Sequence, residues 1–187
     1  MSEQVMVVAT DELQPFFTST LIRDRAREVL DLIAERHTYI DRDLAERSPE
    51  WRQIIPYVVI RHGDETFTVT RTKKQTEARL HHKVSLGIGG HINPDHDLAR
   101  GLQKELSEEV RIDGDYDLEF VAILNDESTE VSRVHLGAVF FLNSATRDVA
   151  VLETEKMTGS WMSRAALAAA RDAMESWSQI VYDELLA

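Results

Sequence analysis

The stretch from Leu86 to Ile112 constrains this chain more than any other. It joins a glycine-rich turn to a helix that carries leucines on one side and glutamates beside them. Gly87, Gly89 and Gly90 open it, and glycines accept backbone shapes closed to other residues and let a ligand approach the main chain. Asn93, Pro94 and Asp95 then predict a turn, with Asp97 as the N-cap or first-turn acid of a helix. Leu98, Leu102, Leu106 and Val110 recur at four-residue spacing and form one apolar stripe. Glu105, Glu108 and Glu109 lie at the offsets of helical neighbours and cover an arc of roughly 100° beside the stripe. Three carboxylates on a partly buried patch repel one another unless a cation sits among them. A hard divalent ion, Mg²⁺ or Mn²⁺, suits such an all-oxygen set. A solvated acidic helix face is the other reading of the same residues.

This segment resembles the signature of the Nudix hydrolase family, which reads G, five residues, E, seven residues, R-E-U-x-E-E-x-G-U, with U a bulky apolar residue. Gly90 takes the first position, Glu105-Leu106-Ser107-Glu108-Glu109 matches the E-U-x-E-E core, and Ile112 closes it. Three positions depart: His96 for the first Glu, Lys104 for the Arg, and Arg111 for the second Gly. In the family the first Glu and the Arg are usually a structural ion pair, so their joint loss need not touch a metal site. Arg111 changes how the helix ends, because glycine is the usual left-handed cap.

Length and charge set the frame. A chain of 187 residues accommodates a single core with an added terminal element. Lys and Arg number 21 against 33 Asp and Glu, a net charge of −12, which argues against sequence-independent binding to nucleic acid. With no cysteine, disulfides, zinc thiolates and a thiol nucleophile are excluded. The N-terminus lacks a basic leader, and no apolar run approaches spanning length, so a cytoplasmic protein without membrane attachment is expected.

Residues 1–50 read as an N-terminal extension for packing or dimerisation, with a short strand at Val5–Val8 and an amphipathic helix over Leu21–Arg36. The main domain is expected over 51–187. Strands at Ile54–Arg61 and Thr66–Arg71 flank His62-Gly63-Asp64-Glu65 and predict a hairpin, with Pro56 placing the first strand at an edge or near its start. Arg71, Lys73, Lys74, Arg79, His81, His82 and Lys83 make the one basic stretch, either a phosphate-binding surface or a solvated loop. Leu118–Leu124 and Val131–Leu142 read as strands joined by an acidic loop in which Asp126, Glu127 and Glu130 could orient water. Ser163 is expected to cap a closing pair of helices. His91 and His96 lack a His or Cys partner at ligand spacing and are read as structural.

The resemblance spans roughly residues 53–170 and implies an α+β protein, a Nudix-type α/β/α sandwich with a mixed sheet. It further implies metal-assisted hydrolysis of a phosphoanhydride in a nucleoside diphosphate linked to another moiety. The small phosphorylated substrate would meet Mg²⁺ (or Mn²⁺) held by Glu105, Glu108 and Glu109, with Glu155 as a further metal or base carboxylate ahead of Trp161 and Glu153 as the fallback. Catalytic roles fall to Glu105, Glu109 and Glu155, with the general base open between Glu105 and Glu155. Substrate contacts fall to Arg71, Lys83, Gly89 and Gly90. A homodimer is expected through the extension. Two other readings are a Nudix-fold binding module without catalysis and an isomerase of isopentenyl diphosphate type. The latter is weakened by the missing cysteine.

Overall fold

The computed structural model describes residues 3–71, 83–155 and 157–187. Lys73, Lys74, Arg79, His81 and His82 of the expected basic stretch lie outside the described residues. In chain order the strands are β1 (Gln4–Ala9), β2 (Leu21–Ile22), β3 (Thr38–Asp41), β4 (Trp51–His62), β5 (Glu65–Arg71), β6 (Val84–Ser85) and β7 (Gly87–Ile88). They continue as β8 (Val110–Ile112), β9 (Tyr116–Leu124), β10 (His135–Ser144), β11 (Val149–Val151) and β12 (Met157–Ser163). The helices are α1 (Thr10–Leu13), α2 (Ala26–Arg36), α3 (Arg42–Ala45), α4 (Leu98–Glu109), α5 (Arg164–Ala170) and α6 (Ser176–Val181). The class is α+β with a mixed sheet, as expected. No helix among the described residues is long and apolar enough to cross a membrane.

Contacts divide the chain into two compact units. The first comprises Met1–Tyr57, Gly89–Lys104 and Phe120–Val139. Here β1 pairs antiparallel with β3 (Gln4↔Asp41 to Val7↔Thr38) and with β4 (Val7↔Gln53 to Ala9↔Trp51). The extension is thus woven into sheet structure with the start of β4. Leu21 and Ile22 do not begin a helix: they form β2, paired with Leu124 and Ile123 of β9. Two adjacent, fully buried apolar residues suit a short strand covered on both faces. The helical stripe starts only at Ala26, continuing through Val29 and Ile33.

The second unit comprises Val58–Ile88, Glu105–Glu119 and Phe140–Ala187. The expected hairpin is present, with Arg61↔Thr66 and His62↔Glu65 in register and Gly63 at φ +55° in the turn. Glycine is favoured there because the left-handed region crowds a Cβ. Strand β12 pairs with β5 from Met157↔Arg71 to Ser163↔Glu65, so Gly159 and Trp161 lie within a strand. Gly159 is required there by packing: a Cβ would lie 2.2 Å from Phe67 Cζ. Ser163 caps α5, its Oγ accepting from Ala166 N–H at 3.3 Å.

Pro56 sits inside β4, not at an edge or start. The strand pairs with β1 through Gln53 and with β7 from Val58 (Val58↔Ile88, Val59↔Gly87). Pro56 falls in the interval between the β1 and β7 ladders, in a strand that also borders β10. The same proline explains Gly89 within the first unit. A Cβ on Gly89 would stand 1.9 Å from the Pro56 carbonyl oxygen and 3.0 Å from its carbonyl carbon. Both obstacles are backbone, so no side-chain rotation relieves the clash. Gly89→Ala is expected to cost about 2 kcal/mol or more, on the scale of overpacking. Urea unfolding would show this as a lowered midpoint at unchanged m-value, and an unshifted midpoint would refute it.

Candidate active site

Helix α4 starts as the sequence indicates. Asp97 Oδ1 accepts from Arg100 N–H at 2.8 Å, an N-cap, and the turn before it holds Asp95 at φ +77°. Leu102, Leu106 and Val110 are buried and Leu98 half-buried, which fixes the rotation of the helix about its axis. Glu105 and Glu109 are half-buried as a result, and Glu108 is exposed.

The end of α4 shows why Arg111 replaces the family's glycine. The chain takes no left-handed cap but passes directly into β8, which pairs with β11 through Val110↔Val151, Arg111↔Ala150 and Ile112↔Val149. An arginine is at ease in that extended backbone, and its Nε bonds Asp113 Oδ2 at 2.8 Å. The reversal comes later, at Gly114 with φ +122°.

This ladder assembles the site. It continues as a main-chain bond from Leu152 N–H to the Glu109 carbonyl at 2.8 Å, and Met157 N–H bonds the Glu153 carbonyl at 3.0 Å. Glu153 is therefore delivered beside the helix end. The carboxylate of Glu109 is pushed up to about 7, first by burial and then by Glu105, while Arg71 opposes the rise and Glu153 and Glu108 add to it. Four acids and one arginine share a single electrostatic neighbourhood inside the second unit. From the later segment it is Glu153, the fallback in the sequence, that contributes there.

Arg71, the last residue of β5, stands opposite Met157 and gives its Nε to Glu175 Oε1 at 3.0 Å. Glu175 precedes α6, and its own N–H bonds the Val84 carbonyl at 3.1 Å. This partner was missed because nothing local in the sequence links residues so far apart. Lys83 is half-buried, and its carbonyl accepts from Arg71 N–H at 3.4 Å. Gly90 is also half-buried, in the first unit.

Two acids of the loop after β9, Asp126 and Glu127, make local contacts. Asp126 Oδ1 accepts from Ser128 N–H at 2.9 Å, and Glu127 Oε1 lies 2.6 Å from Nη2 of Arg52, whose side chain is 2% exposed. His91, read as structural, is brought beside His135, their ring centroids 5.5 Å apart. Burial, with help from Arg42 and His135, holds the His91 imidazole down at about 3, so it is neutral at pH 7.

No family model matches the sequence. Protein YmaB of Bacillus subtilis (strain 168) is 32% identical over 202 residues, covering 99% of this chain and 98% of YmaB. The crystal structure of Tm1382, assigned to the Nudix hydrolases, superposes with a TM-score of 0.83 at 31% identity, covering 98% of each chain. DR0079 from Deinococcus radiodurans matches with a TM-score of 0.59 at 16% identity, over 78% of this chain and 90% of its own, a likeness of fold.

The raised carboxylate has a measurable consequence. Between its ordinary value of 4.5 and about 7, Glu109 holds a proton in the folded state that it has lost in the unfolded chain. Stability attributable to Glu109 therefore falls as pH rises across that window and levels off above it. The loss is on the order of 3 kcal/mol. Glu109→Gln removes it, so denaturant unfolding from about pH 5 to about pH 8 should flatten in the variant relative to the parent. Parallel curves would contradict the assigned burial.

Proposed function

Because the chain belongs to the Nudix hydrolase family, enzymes that act on pyrophosphate bonds, we propose that its acidic cluster performs Mg²⁺-dependent hydrolysis of a nucleoside diphosphate linked to another moiety. The observation that carries this reading is the convergence of Glu105, Glu108 and Glu153 on one half-buried, proton-retaining carboxylate, Glu109. An all-oxygen donor set that excess negative charge keeps partly protonated fits a hard divalent cation. Glu105, Glu108 and Glu109 are the proposed ligands, with Glu153 or Glu155 completing the set. When bound, such an ion neutralises diphosphate charge and makes water more acidic.

The residues themselves do the rest. Glu105 or Glu155 takes the proton from the attacking water, and Glu109 contributes as a ligand once deprotonated. Arg71 is held at the base of the cluster by Glu175 and adds positive charge where phosphate oxygens bring negative charge. Lys83, at the end of the basic stretch, is a second substrate contact in the same unit. Gly89 and Gly90 are the proposed main-chain contacts, since glycine lets a ligand approach the backbone. The reading also includes a cytoplasmic homodimer, with residues 1–50 as the packing element and 51–187 as the catalytic domain.

A panel of nucleoside diphosphate derivatives, assayed for phosphate or nucleotide release with Mg²⁺, Mn²⁺ or chelator, tests this. One substrate class should turn over in a chelator-sensitive way. Glu105→Gln should lower kcat by roughly 10²-fold or more if it is the base. Unchanged turnover in Glu109→Gln at saturating Mg²⁺ would sink the ligand assignment. Ligand-dependent stabilisation without any turnover would transfer the reading to a binding module.

A further inference from the structure

The first unit brings together a second set of ligating side chains with different chemistry. One ligand atom from each of Glu46, His91 and His135 lies within 4.8 Å of the others. Glu46 follows α3, His91 lies in the turn after β7, and His135 opens β10. These distant segments explain why the sequence suggested no partner for His91.

Three observations point to a ligand. His135 Nδ1 lies 2.7 Å from the Val131 carbonyl, which can only accept, so Nδ1 carries a hydrogen and Nε2 is the nitrogen turned toward the cluster as the metal-facing atom. A backbone carbonyl on the far nitrogen is the arrangement that orients metal-binding histidines. His91 Nε2 is buried and finds no hydrogen-bond partner, with its side chain only 15% exposed. Its nearest acidic atom, Glu46 Oε1, stands 3.9 Å away, beyond a hydrogen bond. An orphaned buried nitrogen is costly unless something else accepts or binds it.

We propose that Glu46, His91 and His135 form a binding site for a borderline divalent transition metal, zinc foremost, with ligands entirely different from those of the acidic cluster on α4. Two imidazoles and one carboxylate are a known zinc-type donor set, whereas magnesium prefers oxygen alone. Tetrahedral zinc sets its ligand atoms about 3.3 Å apart, so side-chain rotation closes the present spacing. Arg42 is the opposing charge, with Nε 3.6 Å from Glu46 Oε1, but its Nη1 is held by Glu3 Oε2 at 2.8 Å. Glu3 and Glu46 outweigh Arg42 by one negative charge. A bound ion would staple α3, the turn after β7 and the start of β10 together.

The test uses tag-free, chelator-stripped full-length protein titrated with Co²⁺ in excess Mg²⁺. One equivalent should bind with the visible absorption of a low-coordinate nitrogen–oxygen site, be displaced by Zn²⁺, and Zn²⁺ should raise Tm. Glu46→Gln, at a partly exposed position that spares the core, and His135→Gln should each weaken Co²⁺ binding at least roughly tenfold. Glu108→Gln should leave it unchanged. Loss of binding in Glu108→Gln, retention in folded Glu46→Gln and His135→Gln, or no Co²⁺ absorption at all would each overturn the assignment.

Discussion

A single main-chain hydrogen bond, Leu152 N–H to the Glu109 carbonyl, organises the chemistry of the second unit. It extends the β8–β11 ladder by one step onto the last residue of α4. A helix end normally leaves carbonyls without intrahelical partners. Here one of them is satisfied by the strand segment that carries Glu153. The bond that terminates the helix thus also adds a carboxylate from elsewhere to those the helix already bears.

The electrostatics follow from that closure. Glu109 is half-buried by the same apolar stripe that seats the helix, and Glu105, Glu108 and Glu153 are its acidic neighbours. Burial penalises its charge and the neighbours compound the penalty, while Arg71 relieves part of it from its ion pair with Glu175. Such a carboxylate is poorly placed for folding alone. Its environment favours either a proton or a cation. In the first unit the same physics takes another form: His91 is neutral through burial, and its Nε2 is left without a hydrogen bond.

Much of this was legible along the chain. The N-cap at Asp97, the stripe of Leu102, Leu106 and Val110, the hairpin at Gly63 and the cap at Ser163 all depend on neighbours a few residues away. Local rules also reached the wrong element at times. Leu21 and Ile22 fit a helical period yet pair with β9, and Pro56 lies within β4, between its β1 and β7 ladders. Gly89 was identifiable as a special position. The reason, a proline carbonyl at contact distance, was not, and neither was the phenylalanine ring that requires Gly159.

The sequence by itself determined the acidic helix, its register and the family likeness, because helical periodicity ties residues three and four apart to one face. Tertiary structure alone decided which distant groups complete each site. Glu153 reaches Glu109 through the β8–β11 ladder, and Glu175 reaches Arg71 from the edge of α6. Glu46 and His135 reach His91 from separate strands and helices. No spacing rule links such residues, since only sheet register and packing set the distances between them.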